Sequence, residues 1–349
     1  MSKVLSENGL SLDMITVISS IRIRLARNLA DYNFPARLGK KQAEEVARLV
    51  KYELSAQDEF IAHEVRTMGE TEAKILEEKH LISPALLKNK DRGVAFVSKD
   101  GHTCVMVNEE DHLREQYFIR GSRIDIAYDR LASLDEQLAK GLKFAYDSKL
   151  GFLTACPSNL GTGMRASIMM FLPGLTWSEK IGEISAMLKS IGMTIRGAFG
   201  EGSEAEGFEY QISNERTLGV SESEILEMTE EAMLRVAKLE LHARDHMLEQ
   251  EEIVFKDVVY RSFAVLTSCR LISAGEVLTE LANVKLGVAL GFLTSDKYWE
   301  FLDFIESMRP ATFHAKHCTA QMQEREVDEI RANVVRKSLP EFIRMIPEQ

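Results

Sequence analysis

Ten consecutive residues, Cys156-Pro-Ser-Asn-Leu-Gly-Thr-Gly-Met-Arg165, gather a thiol, a guanidinium, two glycines and a proline in one short stretch. The apolar run over residues 150–155 leads in as an expected buried strand, and the run over 166–172 follows as an expected helix. Such a junction brings backbone N–H groups, a cation and a nucleophilic sulfur to one spot beside a sheet. The same residues also describe a plain glycine-rich turn with a buried cysteine, and the segment alone does not decide.

Arg22 and Arg24 alternate with Ile21 and Ile23, so on a strand both guanidinium groups share a face. Like charges side by side repel unless an anion or solvent lies over them, and polyphosphate suits forked guanidinium donors. A solvated edge strand is the plainer account of that repeat. In Asn108-Glu-Glu-Asp-His-Leu-Arg114, three carboxylates follow an apolar run directly. They suit a base and positioning site for a cationic substrate, or a polar loop. Arg196 opens a stretch containing Gly197, Gly200, Glu201, Glu204 and Glu206, the composition of a flap over a ligand. His314, His317 and Cys318 lack a fourth ligand at matching spacing, so no metal site is expected. P-loop, strand-linked GxGxxG and protein-kinase HRD or DFG signatures are absent from the sequence.

The elements that must position these groups change character along the chain. Residues 39–55 read as an amphipathic helix, and 94–98 with 103–108 as a hairpin turning at Asp100-Gly101. Helical periodicity covers 131–146, and Thr176 with Glu179 resembles a capping box opening a helix to about 191. Strands are expected over 193–195 and 208–212. After Ser221, whose pairing with Glu224 opens a long helix to about 250, the pattern is helical throughout: 253–269, a segment begun by Ser273 with Glu276, 297–308 and 327–337. The expected fold class is α/β (α+β) over residues 1–245, followed by an all-helical C-terminal domain over 246–349 suited to dimerisation.

The 349 residues carry a formal net charge of −11, which argues against a nucleic-acid partner. No apolar run approaches the ~20 residues that span a bilayer, and no secretory layout opens the chain, so a cytoplasmic protein without membrane contact is expected. Four scattered cysteines suit a reducing compartment.

Four ordered motifs, Ser20-Ile-Arg-Ile-Arg-Leu-Ala-Arg-Asn28, Asn108 to Arg114, Cys156 to Ala166 and Arg196 to Glu201, resemble those of the phosphagen (guanidino) kinases. The resemblance covers nearly the full length. It is strongest to the bacterial protein arginine kinases of McsB type, whose motifs Glu78-Lys-His-Leu-Ile-Ser-Pro84 and Gly200-Glu-Gly-Ser-Glu-Ala205 resemble. Kinases of free guanidines carry a helical domain before the first arginine motif; here that motif begins at residue 20, so none is expected.

The resemblance implies an antiparallel sheet flanked by helices, similar to the glutamine synthetase catalytic fold, in a guanidino kinase catalytic domain. It implies ATP with Mg²⁺, and a nucleotide site at Ser20, Arg22, Arg24, His80, Arg114, Arg165, Ala166, Ser167, Met169, Arg196, Gly197 and Gly200. Glu110 and Glu201 match the carboxylates that hold the acceptor guanidinium, and Cys156 the thiol beside it. Implied partners are arginine-containing protein substrates, a second copy in a homodimer, a zinc-binding activator protein and a Clp-type protease system. The chemistry is consistent: a guanidinium is a poor nucleophile, which carboxylates orient and deprotonate, and a Cys156 thiolate would steady its charge. Two positions depart from the branch: Ile21 stands for serine, and Val327 replaces the leading arginine of an RDxxRA phosphoarginine-binding motif, weakening such a site. The leading expectation is a protein arginine kinase. The alternatives are a kinase of a small free guanidine such as arginine, and an inactive phosphoarginine-binding regulator.

Overall fold

A computed structural model describes residues 12–55, 60–197, 206–319 and 322–346. Its strands are β1 (Ile18–Arg27), β2 (Phe60–Glu64), β3 (Val94–Ser98), β4 (Thr103–Val107), β5 (Leu113–Arg120), β6 (Tyr146–Asp147), β7 (Gly151–Phe152), β8 (Met164–Phe171), β9 (Met193–Gly197), β10 (Glu209–Asn214), β11 (Leu293–Thr294) and β12 (Arg344–Met345). The helices are α1 (Leu12–Ile15), α2 (Lys40–Ser55), α3 (Glu70–Glu78), α4 (Pro84–Lys88), α5 (Ile124–Gly141), α6 (Pro173–Trp177), α7 (Ile181–Ser190), α8 (Glu222–Ser268), α9 (Ala274–Ala289), α10 (Tyr298–Ser307), α11 (Pro310–His317) and α12 (Glu324–Phe342). Eight strands form one antiparallel sheet in the order β2-β3-β4-β5-β1-β8-β10-β9.

Alternation along β1 sorts the sheet into two unlike faces. Ile21, Ile23 and Leu25 point into the main core with Ile168, Met170 and Ile212, beneath α2, α5 and α7. Arg22 and Arg24 point the other way. That second face is covered near β3 and β4 by Leu76, Leu81, Ile82 and Leu86, which pack on Cys104 and Met106. Near Phe171 it is covered by the apolar cluster of α9 to α12. A gap between these covers leaves Arg22 and Arg24 half-buried, with Arg24 lining a cleft.

The long helix α8 opens with the Ser221/Glu224 capping box expected from sequence. Its buried stripe, Ile225, Thr229, Ala232, Met233 and Val236, follows helical spacing. Two separate helices were expected here; the structure joins them through a kink at Glu251 (φ −142°, ψ 34°).

Other expectations need correction. The run 166–172 is the central strand β8, not a helix: flanked by β1 and β10, it sends Ala166, Ile168 and Met170 into the core, while Met169 and Phe171 on its other face are also apolar and hide the alternation. The run 150–155 contributes only the two-residue β7 to the hairpin with β6. Thr176 opens no helix; Pro173 starts α6 earlier, Thr176 Oγ1 donates to the Leu172 carbonyl at 2.6 Å, and Glu179 takes φ 56° before α7. Helix α5 lies seven residues upstream of its expected start at 131, beginning at Ile124.

Candidate active site

Strand register places the arginines together. Arg24 lies opposite Arg165 on β8 and Gln116 on β5, while Arg22 lies opposite Ser167 and Ala26 opposite Arg114. Gln211 faces both Met169 and Arg196, and Ser20 faces Met169. Directly opposed residues share a face, so Ser20, Arg22, Arg24, Arg114, Arg165, Ser167, Met169 and Arg196 form one surface. Ala166 does not belong to it: its methyl is buried in the core and its N–H donates to Asn214 Oδ1 at 2.8 Å. Its side chain therefore contacts no ligand on the arginine face. Gly197 ends β9 opposite Tyr210, whereas Gly200 and Glu201 lie outside the described residues.

The guanidinium groups are braced mostly by neutral oxygens. Arg22 Nη2 donates to Gln211 Oε1 at 2.9 Å, Arg24 Nη2 to Ser167 Oγ at 3.2 Å, and Arg165 Nη2 to Ser213 Oγ at 3.1 Å. Arg114 has a counter-ion, with Nη1 2.7 Å from Glu109 Oε1. Glu109 also accepts from the Ser83 hydroxyl. Burial, then the charges of Arg114 and Arg165, lower the Arg22 pKa to about 10. Burial together with Arg22, Arg114 and Arg165 holds the Arg24 pKa well below its usual value, and among the described residues its Nε has no hydrogen-bond partner. A polyanion over this surface would relieve the repulsion and occupy that donor, so the residues fit the phosphates of ATP.

His80, between α3 and α4, takes a left-handed φ of 55°. Its carbonyl accepts from Gln116 Nε2 at 2.8 Å, which ties it to the arginine face. Burial and then the Arg22 charge lower its pKa to about 4, so the ring is neutral at pH 7. Sequence reasoning missed Gln116, Gln211, Ser167's bracing of Arg24, and Ser213. Their one signal is strand alternation with the arginines.

The three acids after β4 separate by role. Glu109 pairs with Arg114, Glu110 is exposed, and Asp111 is buried. Asp111 Oδ1 accepts from Asn28 Nδ2 and from Ala155 N, each at 2.6 Å. Glu110 and Cys156 are thus neighbours of two atoms in direct contact, across 44 residues of sequence. A cleft of about 140 Å³ is lined by Arg24, Glu109, Glu110, Arg114, Ser158, Asn159, Gly163 and Arg165. Cys156 stands beside it, with Sγ 3.0 Å from Ser158 Oγ.

The two glycines of this loop serve close packing rather than phosphate binding. A Cβ on Gly161 (φ +113°) would lie 2.2 Å from the Thr217 carbonyl oxygen, and one on Gly163 (φ +64°) 2.5 Å from that of Ala26. The loop's Gly161 and Thr162 N–H groups are spent on Phe152 O and Thr217 O. Beneath it, Arg27 pairs with Asp135 at 2.8 Å, donates to Thr162 O at 2.9 Å and stacks on Phe152. Among the described residues no group of His, Cys, Asp and Glu is arranged to hold a metal ion.

Known proteins resemble this chain over most of its length. Residues 41–243 match the model of the ATP:guanido phosphotransferase C-terminal catalytic domain, and residues 250–346 that of the protein-arginine kinase McsB C-terminal domain. A protein-arginine kinase of Syntrophomonas wolfei is 38% identical over 95% of this chain and 94% of its own. One from Caldanaerobacter subterraneus is also 38% identical, over 80% of this chain and 85% of its own. Among solved structures, lombricine kinase superposes with a TM-score of 0.59 at 25% identity, covering 71% of this chain and 72% of that one. The duplicated taurocyamine kinase of Schistosoma mansoni with bound transition-state analogue components gives 0.62 at 26% identity, covering 74% and 40%. The chain belongs to the ATP:guanido phosphotransferase family, in its protein-arginine kinase branch.

Proposed function

We infer that this chain transfers the γ-phosphoryl group of ATP to the guanidinium of arginine residues in proteins. The observation that carries the reading is the cleft that Glu110 lines together with Arg24, Arg114 and Arg165. ATP supplies the phosphoryl group, and Mg²⁺ bound with it would offset the negative charge of its phosphates. Arg22, Arg24, Arg114, Arg165 and Arg196 hold the phosphates and offset the charge shared among the transferring oxygens. Glu110 orients the acceptor guanidinium and takes the proton released as the N–P bond forms and the bond to ADP breaks. Glu201 shares that role by family resemblance, and Cys156 borders the acceptor side.

Protein-linked arginine rather than a free guanidine is the acceptor in this reading, supported by the match over residues 250–346. The test is phosphotransfer from Mg·ATP to free arginine and to an arginine-rich protein, side by side. Efficient use of free arginine with none of the protein would support the small-guanidine alternative.

The same reading places a domain boundary near residue 245 and a homodimer contact within 246–349. Support comes from apolar side chains exposed just past the α8 kink: Ile253 (76%), Val254 (48%) and Val258 (37%). Light scattering should give a dimer mass for the wild type, and Ile253→Asp should shift it toward monomer. A cytoplasmic location, a zinc-binding activator and a Clp-type protease system complete the reading.

A further inference from the structure

One contact of the helical region lies two residues from a candidate nucleotide ligand. Glu78, at the end of α3, accepts from Ala311 N, Thr312 N and Thr312 Oγ1, each at 2.8 Å. Those N–H groups belong to the first turn of α11, where no partner exists inside the helix. Glu78 therefore caps α11 from a distant part of the chain.

Two residues beyond Glu78 is His80. The intervening turn is tight: His80 N bonds to Glu77 O at 2.9 Å, and Leu81 N and Ile82 N both bond to Leu76 O. Gln116 clamps the far side of the turn through its bonds to His80 O and Leu81 O. A shift of Glu78 is passed along such a turn rather than absorbed in it. Other residues of the same region stand close by. Glu306 and Arg309, paired at 2.7 Å just before α11, are within electrostatic reach of His80. Arg120, on the arginine strand β5, pairs with Asp303 at 3.0 Å, and Lys285 binds Glu209 and Ser19 beside Ser20.

We propose that Glu78 is a positioning residue through which helix α11 sets the place of His80, so that affinity for ATP depends on the seating of the helical region. The proposal rests on the reading of His80 as a nucleotide contact. Coupling of this kind between two elements amounts to roughly 5–150-fold in affinity.

The test measures Mg·ATP binding, KM for ATP and for a protein acceptor, and kcat in Glu78→Gln, Thr312→Val, His80→Ala and the Glu78→Gln/His80→Ala pair. Glu78→Gln should weaken ATP binding and raise its KM about tenfold, leaving kcat and the acceptor KM within about twofold. Thr312→Val, which removes one of the three bonds, should move ATP affinity the same way by less, and stands in if Glu78→Gln does not fold. His80→Ala should weaken ATP binding, and the pair should be no worse than His80→Ala alone. Weakening by His80→Ala with none from Glu78→Gln or Thr312→Val would overturn the coupling while sparing the nucleotide reading. No effect of His80→Ala would overturn that reading and the proposal together. Equal losses in kcat and both KM values would reduce Glu78 to a structural cap and overturn the proposal.

Discussion

Arg24 sits among three other guanidinium groups, and among the described residues no carboxylate is hydrogen-bonded to it and its Nε has no partner. Such a charge is a cost to the folded protein, retained because an anion needs it. Arg24→Met should therefore stabilise the chain by about 1–3 kcal/mol in urea unfolding while removing most ATP binding. Loss of stability with ATP binding intact would contradict that account. Glu110 is different: it is exposed at the cleft and makes no hydrogen bond or ion pair among the described residues, so Glu110→Gln should leave the melting temperature unchanged. The arginine pattern was legible in the sequence because period-two spacing alone fixes a shared face. The division of labour among Glu109, Glu110 and Asp111 was not, because it depends on a turn whose partners, Ser83, Asn28 and Ala155, come from three other segments.

At the scale of elements, the turn over residues 108–112 is held by His112. Leu29 N donates to its Nδ1 at 3.1 Å, and its own N–H donates to Asn28 Oδ1. Burial lowers its pKa to about 4, against about 6.5 when unfolded. Between those values the unfolded state binds the extra proton, so stability is full above pH 6.5 and falls as pH drops toward 4. The loss from this group is up to about 3 kcal/mol, and it should disappear from the pH–stability profile of His112→Asn. An unchanged acid slope would refute the assignment. The loop over residues 156–165 depends on its glycines in the same way. Gly161→Ala meets both a positive φ and the Thr217 carbonyl, and should destabilise by more than about 2 kcal/mol in urea unfolding. Helices with polar faces and caps, such as α2, α8 and α9, were readable from sequence. Strand β8 was not, because Met169 and Phe171 on its cationic side are as apolar as Ile168 and Met170 on its core side, which erases the alternation that distinguishes strand from helix.

The whole molecule is a sheet with one oily and one cationic face, and helices from both ends of the chain frame the cationic one. Order of motifs along the sequence sufficed to group the arginines, but not to show that α9 to α12 wall the same face. That packing rests on side chains such as Lys285 and Asp303, which carry no motif. The central claim is that the cleft brings an arginine side chain to a carboxylate beside bound phosphates. Mass spectrometry of an arginine-rich protein incubated with Mg·ATP, using the wild type and Glu110→Gln, tests it most directly. Phosphate should appear on arginine with the wild type and at least 100-fold more slowly with the variant, whose ATP affinity stays the same. Phosphate found only on other residue types, or an equal rate from Glu110→Gln, would contradict it.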